Sequence, residues 1–423
     1  MDTPTVVAFV SPGWPPDARH NGIVSYTAAI RGALEELRTR VFVLDSWGRS
    51  ELDEPDVVCL RPNEAPARRS VRQVCAKLMY RLDPHNWHSR VLGAAICRAA
   101  RELHRQAGLQ VLEMEESFGI ARHVAPRCPV PVIVRLHGPW FLNGRALGVK
   151  EDAAFRRKVA AERKGILLAA GVTAPSADVL DRTRRFHGVS LDRACVIPNP
   201  IPPSRAEHRW NSRDCDPNTV LFVGRFDRHK GGDLLIRAFE KVQRLMPQTR
   251  LLFVGPDQGC LDVDGRSWHL ADAVRDQSGK SLADAGIEWV GAQPASQIVD
   301  LRRRAAVTVV CSRYENFPMV ALEAMAAGCP LVASGVGGLT ELVQHGQNGL
   351  LCRPEDPDDL ADKIRTLLQN PTLAARLGEQ AAQDAAQRYA PEAIARQTLE
   401  FYSSVAEQVR PAPRRVRGGG AAG

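Results

Sequence analysis

Two glutamates eight positions apart, Glu315 and Glu323, sit in the run Ser312-Arg-Tyr-Glu-Asn-Phe-Pro-Met-Val-Ala-Leu-Glu-Ala-Met-Ala-Ala-Gly-Cys-Pro330. A β-branched run ends at Ser312, and Glu315 and Asn316 fall in the turn that follows. The pattern predicts a helix from near Phe317, with Pro318 in its first turn, where a missing N–H is no loss. The amides of Phe317 and Met319 then point out of the helix start and can donate to an oxygen-rich ligand. On an ideal helix the two carboxylates would lie about 80° apart, so they do not share a face. One ligand must be long enough to meet both. Each carboxylate can accept two hydroxyl hydrogen bonds, which suits diols such as those of a hexose or a ribose.

A second segment places two cations on a loop. Gly224-Arg225-Phe-Asp-Arg-His-Lys230-Gly231-Gly232 lies between the strand pattern Val220–Val223 and the helical pattern Gly232–Leu245. Arg225 can grip a diphosphate bidentately and Lys230 can add a point charge beside backbone N–H groups. Near the start of the chain, Asn21 can cap a helix, and Gly22 lets a ligand approach the backbone closely. His137 ends the apolar run Val130–Leu136, where a histidine can reach into a crevice. Gly335-Val-Gly-Gly338-Leu-Thr-Glu341 follows a strand and opens a helix, but it lacks the third glycine of a dinucleotide fingerprint, which argues against a nicotinamide dehydrogenase. Asp262-Val-Asp264 could mimic a metal-binding D-x-D, yet it stands in a polar stretch without strand context.

These residues resemble the family-4 retaining glycosyltransferases with the GT-B fold. Glu315 and Glu323 match the family's E-x7-E motif, and Gly224 to Gly231 its G-R-x4-K-G signature. The resemblance implies a nucleotide-diphosphate sugar as donor. Glu315 would hold the sugar hydroxyls and Glu323 the ribose hydroxyls, with Asn316, Phe317, Met319 and Gly338 beside them. Arg225 and Lys230 would do for the diphosphate what a metal does elsewhere, so no metal and no cofactor are implied. Gly22 matches the second glycine of the family's Gly-Gly, and His137 would touch the donor sugar, although the family's following aspartate is Gly138 here. On this likeness Glu315, Arg225, Lys230 and His137 are the expected catalytic set. A nucleotide-sugar epimerase or hydrolase on the same fold would share the donor residues and release nucleotide without an acceptor. A non-enzymatic nucleotide-sugar-binding protein would tolerate loss of Glu315.

The elements that must position these groups repeat twice. Strand patterns at Thr5–Val10, Arg40–Asp45, Gln110–Glu113, Val130–Leu136 and Val172–Ala174 alternate with helical ones, which predicts an α/β architecture with parallel sheets. Val220–Val223, Arg250–Val254, Ile287–Val290, Val307–Cys311 and Leu331–Ala333 restart the rhythm. The expectation is two Rossmann-like doubly wound domains facing each other across a cleft: an acceptor-binding domain over 1–203 and a donor-binding domain over 217–390. Residues 204–216 would be the hinge, after a proline-rich connector at Ala194–Pro203. The helix 391–409 would cross back to the first domain, and 410–423 would be a disordered tail. Pro256–Ala285 reads as a polar insertion.

A chain of 423 residues with 44% apolar and 25% charged residues is of a size and composition for two globular domains. Its ten cysteines form no C-x-x-C pair, so zinc and disulfide frameworks fail on spacing and buried thiols remain. No run approaches the roughly 18 apolar residues of a membrane span, and the first residues do not read as a secretory signal, which predicts a cytoplasmic protein. The net charge of +8 is concentrated between Arg61 and Arg105, where ten basic residues meet three acidic ones. Ser70–Leu82 patterns as a basic amphipathic helix. It fits either peripheral contact with an anionic membrane face, hence a lipid-linked acceptor, or an ordinary packed helix with a solvated arginine face. Nucleic acid is not expected as a partner, since no aromatics interleave with the arginines. A glycan acceptor fits the family likeness equally well.

Overall fold

The computed structural model describes residues 5–16, 21–47, 54–60, 84–261 and 267–409. The basic helix expected at Ser70–Leu82, Asp262-Val-Asp264 and the tail 410–423 lie outside the described residues.

Two parallel sheets carry the chain. The first contains β1 (Val6–Ser11), β2 (Arg40–Asp45), β3 (Val57–Cys59), β4 (Val111–Glu115), β5 (Val132–Arg135), β6 (Gly171–Ala174) and β7 (Ala194–Val196). Its spatial order is β3-β2-β1-β4-β5-β6-β7. The second half supplies β8 (Asp216–Val223), β9 (Arg250–Val254), the hairpin β10 (Cys260–Leu261) and β11 (Ser267–Trp268), then β12 (Ile287–Gly291), β13 (Ala305–Val310), β14 (Leu331–Ser334) and β15 (Leu350–Cys352). The second sheet runs β12-β9-β8-β13-β14-β15. The side on which successive strands are added reverses between β1 and β4 in one sheet and between β8 and β13 in the other. The loops leaving those strands therefore open a crevice at each sheet's carboxyl edge.

Six helices matter for the site: α1 (Gly22–Glu36), α2 (Ala153–Leu168), α3 (Ala177–His187), α4 (Gly232–Leu245), α5 (Met319–Ala327) and α6 (Pro391–Val409). Sequence chemistry fixes their starts. The Asn21 side chain accepts from Ile23 N at 2.9 Å, and the Asp152 carboxylate accepts from Ala154 and Phe155 N at 2.9 Å each. Gly188 ends α3 in the left-handed conformation, at φ 60°.

The structure departs from expectation at several points. Ala194–Pro203 is not all connector, because its first residues pair with β6 as β7. Pro256–Ala285, read as a polar insertion, carries the β10–β11 hairpin and a helix, Leu270–Ser278, whose Leu270, Ala273 and Val274 enter the second core. Within the expected hinge, 204–216, Trp210 donates its indole N–H to Ala305 O at 2.8 Å, and β8 begins at Asp216. Helix α5 starts at Met319, with Pro318 as its cap, and the buried Phe317 ring packs against Tyr389. A helix at Trp140–Ala146 was not expected at all. The described cysteines are all free; Cys97, Cys260, Cys311, Cys329 and Cys352 are buried and the others half-buried. Among the described residues no helix is long and apolar enough to cross a membrane.

Helix α6 buries Ile394, Ala395, Leu399, Tyr402 and Val405 against Val7, Phe9, Tyr26 and Ile30 of the first half. A polar knot sits inside this contact. Glu113 on β4, 3% exposed, accepts from Tyr26 Oη and Tyr402 Oη at 2.8 Å each. Burial pushes its carboxyl up, while the neighbouring Arg135 charge opposes that. Removing the acceptor strands two phenols in the interior. Glu113→Ala is therefore expected to lower the unfolding free energy by about 2–4 kcal/mol in urea titration, and Tyr402→Phe by about 1 kcal/mol.

Candidate functional site

The turn after β13 and the loop after β8 are locked together by two buried ion pairs. Glu315, 6% exposed, accepts from Lys230 Nζ at 2.7 Å and from Ser312 Oγ at 2.6 Å, both on the same oxygen. Burial alone would raise its carboxyl, but the charges of Lys230 and His229 outweigh that and hold it below its ordinary value. Beneath it, Arg313 grips Asp233 at the start of α4 with two parallel bonds of 2.7 Å, and donates to Arg228 O at 2.6 Å. The His229 ring is bonded to Tyr314 O at 2.8 Å. Gly231 adopts φ 72°, and a Cβ there would lie 2.1 Å from Cys311 O, so only glycine lets the two loops approach.

Arg225 is anchored at one end. Its Nε donates to Asp227 Oδ2 at 2.8 Å, and Lys230 N donates to the other oxygen of Asp227 at 2.7 Å. The remaining guanidinium nitrogens make no hydrogen bond to the described residues, and the side chain is 41% exposed. An anion at the mouth of this loop would meet Arg225, Lys230 and the α5 amides that have no acceptor one turn back.

Asn316 bridges the two halves: its Nδ2 donates to His137 O at 2.7 Å. The buried Oδ1 of Asn316 has no partner among the described residues, an acceptor held ready for a donor group. Gly337 and Gly338 pack where a Cβ would strike Glu315 O at 2.2 Å and Asn316 O at 1.9 Å. Glu323 lies farther along, where Arg302 Nη2 reaches it at 2.7 Å, and stays 35% exposed. Since α5 begins only at Met319, the helical phase angle between the two glutamates does not apply. Gly22 opens α1, and a Cβ on it would meet nothing within 4 Å. Helix α1, which Gly22 opens, touches α5 across the interface. Phe317 and Met319 divide: the Phe317 ring belongs to the core, while Met319 stays half-buried at the helix start.

His137 lies half-buried with its ring edge-on to Tyr26, centroids 5.0 Å apart. Burial, then the Arg135 charge, hold its pKa well below the usual value, so the ring is neutral at physiological pH. Its carboxylate neighbour is not next in sequence. Glu116, at the end of β4, accepts from His137 N at 2.8 Å and Gly138 N at 2.6 Å. Glu162 on α2 accepts from Trp140 N at 2.8 Å and Phe118 N at 3.3 Å. Reading residues by local spacing passed over Asp227, Asp233, Arg313, Glu116 and Glu162. Only Asp227 had a local signal, its place between the two cations.

Two Rossmann-like units whose switch-point loops meet in this way form the GT-B class of fold. Sucrose-phosphate synthase from Thermosynechococcus elongatus has the same build, with TM-score 0.71 and 22% identity over 96% of this chain and 100% of that one. Anabaena HepE, solved with UDP and glucose, gives TM-score 0.67 and 19% identity over 95% and 100%. Residues 20–205 match Glycosyltransferase Family 4, and residues 204–384 match Glycosyl transferases group 1. D-inositol 3-phosphate glycosyltransferase 1 of Catenulispora acidiphila is 31% identical over 299 residues, 67% of this chain and 69% of that one. Glycogen synthase of Mycobacterium tuberculosis is 30% identical over 286 residues; the match spans 67% of this chain and 66% of that protein's length. The chain belongs to the family-4 glycosyltransferases.

Burial pushes Glu116 up to about 8, with the charges of Glu162 and Glu115 adding to it. Burial likewise pushes Glu162 up to about 7. Both carboxyls thus bind a proton more tightly when folded than when unfolded. Their contribution is full at acid pH and is lost as pH rises through about 7 to about 8. Between pH 6 and pH 9 the unfolding free energy is expected to fall by about 4 kcal/mol, and by clearly less in Glu116→Gln.

Proposed function

We propose that this chain is a retaining, metal-independent glycosyltransferase that moves a sugar from a nucleotide-diphosphate sugar to a hydroxyl of a glycan, lipid-linked or small-molecule acceptor. One observation carries the reading. Arg225 and Lys230 converge on one loop, and Glu315 fixes Lys230 while Asp227 fixes Arg225. Two pre-placed cations suit a diphosphate whose charge grows as the glycosidic bond breaks. HepE, of the same fold, has been solved with UDP-glucose, which favours a donor of that class here.

In this reading the diphosphate lies at Arg225 and Lys230, with the first amides of α5 facing it. Asn316 Oδ1 and the free oxygen of Glu315 accept sugar hydroxyls, and His137 closes the site from the first domain. Glu323 takes the ribose. Glu315 is a poor nucleophile, because one of its oxygens already accepts from an ammonium and a hydroxyl. That favours attack by the acceptor hydroxyl on the same face as the leaving group, with the departing phosphate oxygen taking the proton. The acceptor lies against the first domain. Exposed Arg90, Arg98, Arg101 and Arg105 along the helix Pro84–Ala107 give that domain a basic flank, which supports peripheral contact with an anionic membrane face in the cytoplasm.

Titration calorimetry with UDP-, GDP- and ADP-sugars identifies the donor. Arg225→Ala is expected to lower kcat by about 10²–10³, the scale of losing one charge-stabilising donor; unchanged turnover would remove the diphosphate assignment. Turnover in excess EDTA is expected to stay within about twofold of the untreated rate. Nucleotide release that does not depend on any acceptor would favour an epimerase or hydrolase instead.

A further inference from the structure

Glu116 and Glu162 are 1% and 3% exposed, yet neither makes an ion pair among the described residues. All four of their oxygens accept from backbone N–H groups: His137, Gly138, Trp140 and Phe118. Burying two acidic groups side by side is costly, in desolvation or in the proton each must hold, and a loop that needed only to be covered could be held by apolar contacts. The arrangement also sustains strain. Phe118 adopts φ 59°, and Gly119 follows at φ 61° where a Cβ would lie 2.3 Å from the Ala161 backbone. Lys158 on α2 then lies over the Trp140 ring, 3.0 Å from its centroid, and 4.6 Å from that of Phe118.

What this cost secures is the height of one short loop. Its first carbonyl, His137 O, is the acceptor for Asn316 across the interface. A side chain at position 138 would have to displace the Asn143 amide, 2.1 Å from a Cβ there, and press on Asn316 Nδ2 at 3.3 Å. The acidic group that the sequence lacks after His137 arrives through space from β4.

We propose that Glu116 and Glu162 are positioning residues for transfer, clamping the His137–Trp140 loop so that His137 meets the donor sugar while its carbonyl meets Asn316. The inference rests on the reading of His137 given under Proposed function. Neither carboxylate touches substrate. Gln is a discriminating replacement, since its amide nitrogen cannot accept and one of the two backbone bonds must be lost.

The test measures hydrogen exchange and steady-state kinetics at pH 9, where both carboxyls are ionised, on the full chain for Glu116→Gln, Glu162→Gln, His137→Ala and the double variant Glu116→Gln/His137→Ala. Exchange at the 137–140 amides is expected to quicken by about 10-fold or more in both Gln variants, the scale of one lost bond to a charged group, with the rest of the first domain unchanged. kcat is expected to fall by about 10-fold while nucleotide affinity stays level, and Glu116→Gln is expected to add little to His137→Ala. Unaltered exchange at those amides, or a loss spread evenly over the domain in both Gln variants, would overturn the clamp. Full activity in His137→Ala beside a slowed Glu116→Gln would overturn the route through His137, while the diphosphate assignment would still stand or fall with Arg225.

Discussion

A buried carboxylate next to an ammonium organises the second domain's end of this molecule. Left alone, Glu315 in its pocket would carry a desolvation penalty of several kcal/mol. Lys230 relieves it, but only if the loop after β8 stays within reach of the turn after β13. The Arg313–Asp233 fork beneath supplies that guarantee, and Gly231 removes the side chain that would keep the loops apart. The site is thus set by the fold before any ligand arrives, which is the condition under which fixed charges help a reaction most.

Outside the apolar seat of α6 and the Tyr314 ring in the first core, several joins between the two halves are polar. Glu341 lays its carboxylate on the first amides of α3, accepting from Ala177 N at 3.0 Å and Asp178 N at 2.8 Å. Tyr314 donates to Asp178 at 2.9 Å, and Asn199 donates to Phe317 O at 3.1 Å. Bonds of this kind exchange readily with water, so each is worth far less than the apolar cores on either side.

How much of this was legible beforehand depended on distance along the chain. Arg225 with Lys230, and Glu315 with Asn316, each lie within one loop, so residue type and spacing carried them. Glu116, Glu162 and the Arg313–Asp233 fork exist only because strands far apart in sequence end side by side, and a linear pattern holds no trace of that. Short elements failed for another reason. β7 is three residues among prolines and draws its stability from its β6 neighbour rather than from propensity. The start of α5 lies after Pro318 because a residue before proline is kept out of the helical region and Pro318 is itself extended. The repeated strand-and-helix rhythm was read correctly because parallel strands buried on both faces leave unbroken apolar runs.

The chain passes between domains twice, once before Trp210 and once after Tyr389, and the two passages are stitched together where Ile201 N donates to Tyr389 O at 3.0 Å. A single tether would let the lobes swivel, slide and twist. Two tethers fastened side by side along one edge behave like the leaves of a door hinge, leaving one easy rotation and resisting the others. Any relative motion of the lobes is thereby confined to one path, with the same alignment recovered at its end.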